Sequence, residues 1–171
     1  KMHPYAERLL QHFQKHERSD GLIHLVTDKW NLVDWPRELR DGYDFPLSKP
    51  IGPGCHNVLN AFYIGCYQTV MQMRQLLGVH KENRLPLLKE SYMQAFYDEE
   101  KRLFRDAEGS SHHALHSNVL PLLFQLAPDE AVPEIVRLIK KKRFSCGVYF
   151  SYFVLKALAQ AGEHALIYEL I

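Results

Sequence analysis

The sequence predicts an all-α domain in which helices joined by tight turns carry small β-hairpin decorations. Three observations predict it: apolar residues return at three- and four-residue intervals over most of the chain, Gly- and Pro-marked turns separate these stretches, and only two short runs read as extended. At 171 residues the chain has the size of one ordinary domain, which can bury roughly two-thirds of its unfolded surface. Its 46% hydrophobic and 24% charged residues argue for a packed globule and against disorder.

The elements follow in order. Pro4 suits a first helical turn, and Tyr5, Leu9, Leu10 and Phe13 then share one face until the Ser19-Asp20-Gly21 turn. The first extended candidate covers 22–26. A long helix is expected over 57–77, where Val58, Leu59, Phe62, Cys66, Val70, Met73 and Leu77 repeat at helical spacing before Gly78. Further helices are expected over 85–97, 114–126, 128–141 and 147–161, with the second extended run at 103–105. Pro121 and Pro133 predict kinks or later starts, because an interior proline removes a hydrogen bond and clashes with the preceding turn. The stretch 163–171 is apolar-periodic at Ala165, Leu166, Tyr168, Leu170 and Ile171 and stops without a cap, so it reads as cut mid-helix. A helical array cut in this way exposes apolar faces, and the expectation is either flanking sequence that covers them or self-association through them.

Charge and cysteine usage narrow the function. Lys plus Arg (21) nearly balance Asp plus Glu (20), so there is no electrostatic case for nucleic acid. The one dense basic run, Lys140-Lys141-Lys142-Arg143, falls at a helix end, where cations complement the partial negative charge. Cys55, Cys66 and Cys146 form no CxxC pair and are odd in number, which predicts buried free thiols. No apolar run approaches the roughly 18 residues a membrane span needs. The start lacks a signal-peptide pattern, but a chain beginning at Lys1 leaves cytoplasmic, periplasmic and secreted locations all open.

The least helical stretch, 30–60, gathers Asp34, Trp35, Arg37, Arg40, Asp41, Tyr43, Asp44 and His56 in a connector rich in Pro and Gly. Sugars are recognised by such a mixture: aromatic faces stack on pyranose C–H faces, while carboxylate and guanidinium groups bond adjacent hydroxyls. The 12% aromatic content permits this without requiring it. The plainer alternative is that Trp30 and Trp35 anchor the connector to the core and the charges are solvated. His112 and His116 stand four apart, a spacing that can present two imidazoles on one helical face. With no HExxH glutamate and no third ligand, no metal is expected, and Ser110 or Ser111 is expected to cap the helix instead.

Five blocks in fixed order, V-D-W-P-R-E-L-R-D-G-Y, C-H-N-V-L-N-A-F-Y, Y-D-E-E-K-R-L-F-R-D, S-S-H-H-A-L-H-S-N-V-L-P-L-L-F and C-G-V-Y-F-S-Y-F-V-L-K-A-L, resemble the catalytic-domain portion of bacterial α-L-rhamnosidases. The resemblance spans about 19–171. It implies part of an (α/α) six-hairpin barrel with its site among loops at one end, and inverting hydrolysis of terminal α-L-rhamnosides without metal or organic cofactor. It also implies an acid in a block upstream of Asp34 and a glutamate base downstream of the last helix, neither present here, so no catalytic residue is assigned in this chain. What carries over is binding of a rhamnoside-containing glycan or glycoside: Asp34 and Trp35 foremost, then Arg37, Tyr43, His56, Asn60 and His116.

Two alternatives stay open. Asp34 paired with Asp44 or Asp106 would make a self-contained acid and base, although nothing in the sequence raises the pKa of either member. A non-enzymatic helical scaffold, with the aromatics in its core and the connector touching a protein, accounts for the same periodicity.

Overall fold

The computed structural model describes residues 2–24, 26, 27, 29–48 and 50–171. Among them are α1 (His3–Gln14), α2 (Asn57–Leu76), α3 (Leu85–Phe96), α4 (Leu115–Leu123), α5 (Val132–Lys142), α6 (Val148–Gln160) and α7 (His164–Leu170). Between α3 and α4 stands a two-stranded hairpin, β1 (Tyr97–Asp98) and β2 (Leu103–Phe104), pairing Tyr97 with Phe104 and Asp98 with Leu103. None of these helices is long and apolar enough to cross a membrane.

Local chemistry sets the boundaries. α2 stops because Gly78 takes a left-handed φ of 66°, which lets the Val79 and Gly78 amides bond back to the carbonyls of Arg74 and Gln75. Pro133 delays α5: the segment expected from 128 opens with a 3₁₀ turn, Asp129–Ala131, and the α-helix begins at Val132, so the proline sits where no amide proton is needed. Pro121 instead lies inside α4. It has no amide proton for the carbonyl of Ser117, which accepts a hydrogen bond from Asn57 Nδ2 at 3.2 Å instead. The expected 114–126 helix ends early, at Leu123, as Gln125 turns left-handed at φ 55°.

The candidate strand at 22–26 is not a strand. Ile23 makes one isolated bridge to Glu17, and its amide and carbonyl are taken by the side chain of Asn60, at 2.7 and 3.1 Å. On the other edge the Arg18 amide donates to the Leu22 carbonyl at 2.9 Å and the His24 amide to the His16 carbonyl at 3.1 Å, so a single antiparallel bridge and one side-chain amide share the segment. Leu25 of that run lies outside the described residues.

Alternate helices form a row, α2 against α4 and α4 against α6, and each is backed by its successor, α3 on α2, α5 on α4 and α7 on α6; α1 leans on α2. The row is a set of helical hairpins. Its centre is α4, every residue of which is buried. On α1 the predicted face is only partly covered, since Leu10 is buried while Tyr5 and Leu9 are exposed.

One sequence expectation, on the cysteines, needs correction here. Cys55 and Cys146 are buried free thiols, but Cys66 is exposed. It lies at an open apolar groove of about 350 Å³ lined by Leu9, Phe13, Phe62 and Phe124. The basic run does close α5, yet its cations are also engaged in ion pairs. Lys142 Nζ reaches Asp41 Oδ2 at 2.5 Å, and Lys140 and Arg143 pair with Glu169 of α7.

Candidate functional site

The connector between α1 and α2 is fastened at three buried points. The first is Asp34, whose carboxylate is fully buried. Its Oδ1 accepts the Trp35 amide at 2.7 Å. Its Oδ2 accepts the Gly147 amide at 2.7 Å and faces His116 Nε2 at 3.0 Å. Burial alone raises the Asp34 pKa, but the hydrogen bonds from His116, Gly147 and Trp35 outweigh it and hold the group below its ordinary value.

Gly147 stands just before α6, where the unpaired amides favour a carboxylate. It must be glycine for want of room, because a Cβ there meets Asp34 Oδ1 at 2.6 Å and the Trp35 carbonyl at 2.8 Å. His116 lies on α4 with its ring on Phe150, centroids 4.2 Å apart. Its Nδ1 is buried without a partner among the described residues, an arrangement that costs roughly 1–3 kcal/mol.

The second point is Asp106, which follows β2 and is also fully buried. Its Oδ1 accepts the Ala114 amide at 2.8 Å and the Ser117 hydroxyl at 2.6 Å; its Oδ2 accepts the Asp44 amide at 2.8 Å and faces His112 Nδ1 at 2.6 Å. Asp41 takes the Leu115 amide at 2.6 Å. Asp106, eight residues before Ala114, and the distant Asp41 therefore take the amides that open α4, not Ser110 or Ser111. Ser110 donates to Asp44 Oδ2 at 2.8 Å.

The third point is the Tyr43 hydroxyl, which donates to the Asp106 carbonyl at 2.8 Å and accepts the Val58 amide at 3.1 Å. His56 Nδ1 lies 3.0 Å away. A carbonyl can only accept, so the single hydroxyl proton goes to Asp106, and the proton between Tyr43 and His56 belongs to Nδ1. His56 Nε2 is then a bare acceptor, buried and without a partner among the described residues. Burial holds the His56 pKa down at about 3, so the ring is neutral.

With the backbone so pinned, two large rings face outward. Trp30 and Trp35 are 69% and 63% exposed. They meet edge to face, with centroids 5.5 Å apart and planes at 74°. Beneath Trp30 lies a pocket of about 480 Å³ whose walls include Phe13, Val26, Leu59, His12 and His56. A second pocket, of about 300 Å³, is lined by Arg37, Arg40, Tyr43 and Phe45.

The residues expected to bind sugar are thus distributed rather than gathered in one hollow. Asp34 touches His116, Tyr43 touches His56, and Asn60 is occupied by the backbone of Ile23. Trp35 and Arg37 are exposed. The three neighbouring histidines go to three different carboxylates: His112 to Asp106, His113 to Asp98 and His116 to Asp34. No group of three or more potential metal ligands occurs among the described residues. With Asp34 and Asp106 both sealed from water by their own donors, neither is placed to act as an acid or a base on a substrate.

Sequence reasoning missed Gly147 and Asn57, and considered Asp106 only as a partner for Asp34 in catalysis, not as the buried acceptor it is. Asn57 Nδ2 bonds the carbonyls of Arg105 and Ser117, and its Oδ1 accepts from Tyr92 at 2.7 Å. Only Gly147, placed directly before an apolar periodic run, left a readable signal.

A family model described as the bacterial alpha-L-rhamnosidase 6 hairpin glycosidase domain matches residues 1–171. The fold is similar to that of a GH78 family rhamnosidase of Bacillus sp. GL1, with a TM-score of 0.76 and 22% identity over 98% of this chain and 18% of that one. It is also similar to a rhamnosidase from Klebsiella oxytoca with rhamnose bound, with a TM-score of 0.70 and 18% identity over 98% of this chain and 31% of that one. The chain therefore spans less than a third of either solved chain. No curated protein matches it.

Proposed function

Because the chain belongs to the bacterial alpha-L-rhamnosidase six-hairpin glycosidase family, we propose that it is the sugar-binding part of a glycoside hydrolase that cleaves terminal α-L-rhamnosides with inversion. The observation that carries this reading is the exposed edge-to-face pair Trp30 and Trp35 on a connector whose backbone is fixed from below. Exposing two indoles opposes the tendency of large apolar rings to be buried, and a pyranose laid on them offsets that exposure. Trp35 supplies the stacking face, and Arg37 reaches sugar hydroxyls. Asp34 and His116 act as positioning residues that hold Trp35, while Tyr43, His56 and Asn60 set the connector's path.

Inverting cleavage needs an acid that protonates the leaving oxygen and a carboxylate roughly 6.5–9.5 Å away that activates water. With Asp34 and Asp106 sealed, we assign both roles to polypeptide beyond these residues. Trp30 and Trp35 are the two tryptophans of the sequence, so intrinsic indole fluorescence reports on this connector. Methyl α-L-rhamnoside is expected to quench it saturably in the wild-type chain and not in Trp35→Ala, with no release of 4-nitrophenol from its α-L-rhamnoside. Turnover that disappears in Asp34→Asn, or the lack of any quench, would overturn this assignment.

A further inference from the structure

The pocket beneath Trp30 has a chemistry distinct from that of the exposed indole pair. Its walls come from α1 (Leu9, Phe13), from the connector (Val26, Trp30) and from the start of α2 (His56, Leu59). At about 480 Å³ it falls within the size range of small-molecule sites, and its walls are mainly apolar, with His12, Lys29, Asn31 and His56 as their polar members. Asn31, also on its wall, spends its amide on the Val26 carbonyl at 2.8 Å.

His56 is the unusual member of this wall. One face of its imidazole stacks on Phe45, with centroids 4.7 Å apart and planes at 25°. Nδ1 is committed to Tyr43, whose hydroxyl is itself saturated by Asp106 and Val58. That network fixes the tautomer, so Nε2 presents a lone pair and no proton. Nothing among the described residues satisfies it. A buried acceptor without a donor, in the wall of an apolar hollow, is complementary to a ligand that brings one hydroxyl on an otherwise apolar body.

We propose that this pocket binds a neutral, largely apolar alcohol, with the alcohol's O–H donated to His56 Nε2 and its apolar body held among Phe13, Leu59 and Trp30. Where such a ligand is the non-sugar part of a glycoside whose sugar lies on Trp35, the assignment rests on the saccharide reading above. The preference for a hydroxyl does not. An ether of the same shape cannot donate and leaves Nε2 unsatisfied, so the site discriminates against it.

The probes are phenol and its methyl ether, anisole, read by the two indole N–H resonances of the wild-type chain in ¹H–¹⁵N spectra. Trp30→Phe assigns the peaks. Phenol is expected to shift the Trp30 resonance saturably, with a Kd about tenfold below that of anisole. His56→Phe, which keeps the stack on Phe45 but removes the acceptor, is expected to equalise the two probes. Equal binding of phenol and anisole to the wild type, or no effect of either on Trp30, overturns the proposal. Should His56→Phe fail to fold, the wild-type comparison decides alone.

Methyl α-L-rhamnoside in the same experiment separates the two readings. If it shifts Trp35 while phenol does nothing, the alcohol pocket falls and the saccharide surface stands. If phenol binds as expected and the rhamnoside moves neither indole, the pocket stands and the saccharide surface falls.

Discussion

His116 Nε2 lies 3.0 Å from Asp34 Oδ2 with both side chains fully buried, joining the central helix α4 to the connector across 82 positions of sequence. The Gly147 amide completes the same carboxylate from the start of α6. One acid therefore ties three elements together, and its donors matter more than its charge.

Removing the imidazole strips that buried carboxylate of a donor without removing the carboxylate. His116→Ala is expected to destabilise the fold by about 3–5 kcal/mol, the range for a buried charge that loses its partner. Urea unfolding followed by circular dichroism checks it. A loss below 1 kcal/mol would mean that Asp34 is not the anion argued here.

Gly147→Ala tests the close approach of α6 to the connector. The added methyl meets Asp34 Oδ1 and the Trp35 carbonyl inside contact distance, and overpacking of this kind costs about 1–3 kcal/mol. The same change pushes on the Trp35 backbone, so the indole emission is expected to shift in the folded protein. An unchanged midpoint with unchanged emission would contradict the packing.

The neutral His56 predicts a pH dependence of stability. Its folded pKa of about 3 lies below the ordinary value of 6.5, so between those limits the unfolded chain binds a proton that the folded chain does not. This contribution is fully present above pH 6.5 and is lost as pH falls towards 3, at about 1.4 kcal/mol per pH unit. Urea midpoints measured from pH 7 to pH 5 should fall more steeply for the wild type than for His56→Phe. Glu7, held down at about 2 chiefly by its hydrogen bond from Arg74, adds its own loss only below about pH 4.5.

The start of α6 exposes Val148, Tyr149 and Tyr152, and α1 exposes Tyr5 and Leu9. Apolar faces of this kind favour association in water. The isolated chain is expected to self-associate with rising concentration, and Tyr149→Lys with Tyr152→Glu to weaken that association. Sedimentation velocity checks both. A monomer at all concentrations would remove the argument.

The helices were legible because burial of one face leaves a three- and four-residue rhythm that needs no knowledge of the partner. α2 and its Gly78 stop are the plainest case, and Pro133 announced the late start of α5. The run 22–26 pairs along one edge with 16–18 through a single bridge, while the side chain of Asn60 takes the amide and carbonyl of Ile23; an extended apolar segment looks the same whether a full strand or a side chain meets its other edge.

By itself the sequence determined the helical class, the order of the helices, the five blocks that mark the family, and the place of the Trp- and Asp-rich connector ahead of α2. Tertiary structure alone decided what each polar residue does there. Whether an aspartate faces a substrate or is sealed depends on which amides arrive from elsewhere, and beside a nearby amide Asp34 and Asp106 each accept one from far along the chain, Gly147 and Asp44. Hydrogen bonds of that range follow from how helices pack, which periodicity along a chain does not encode.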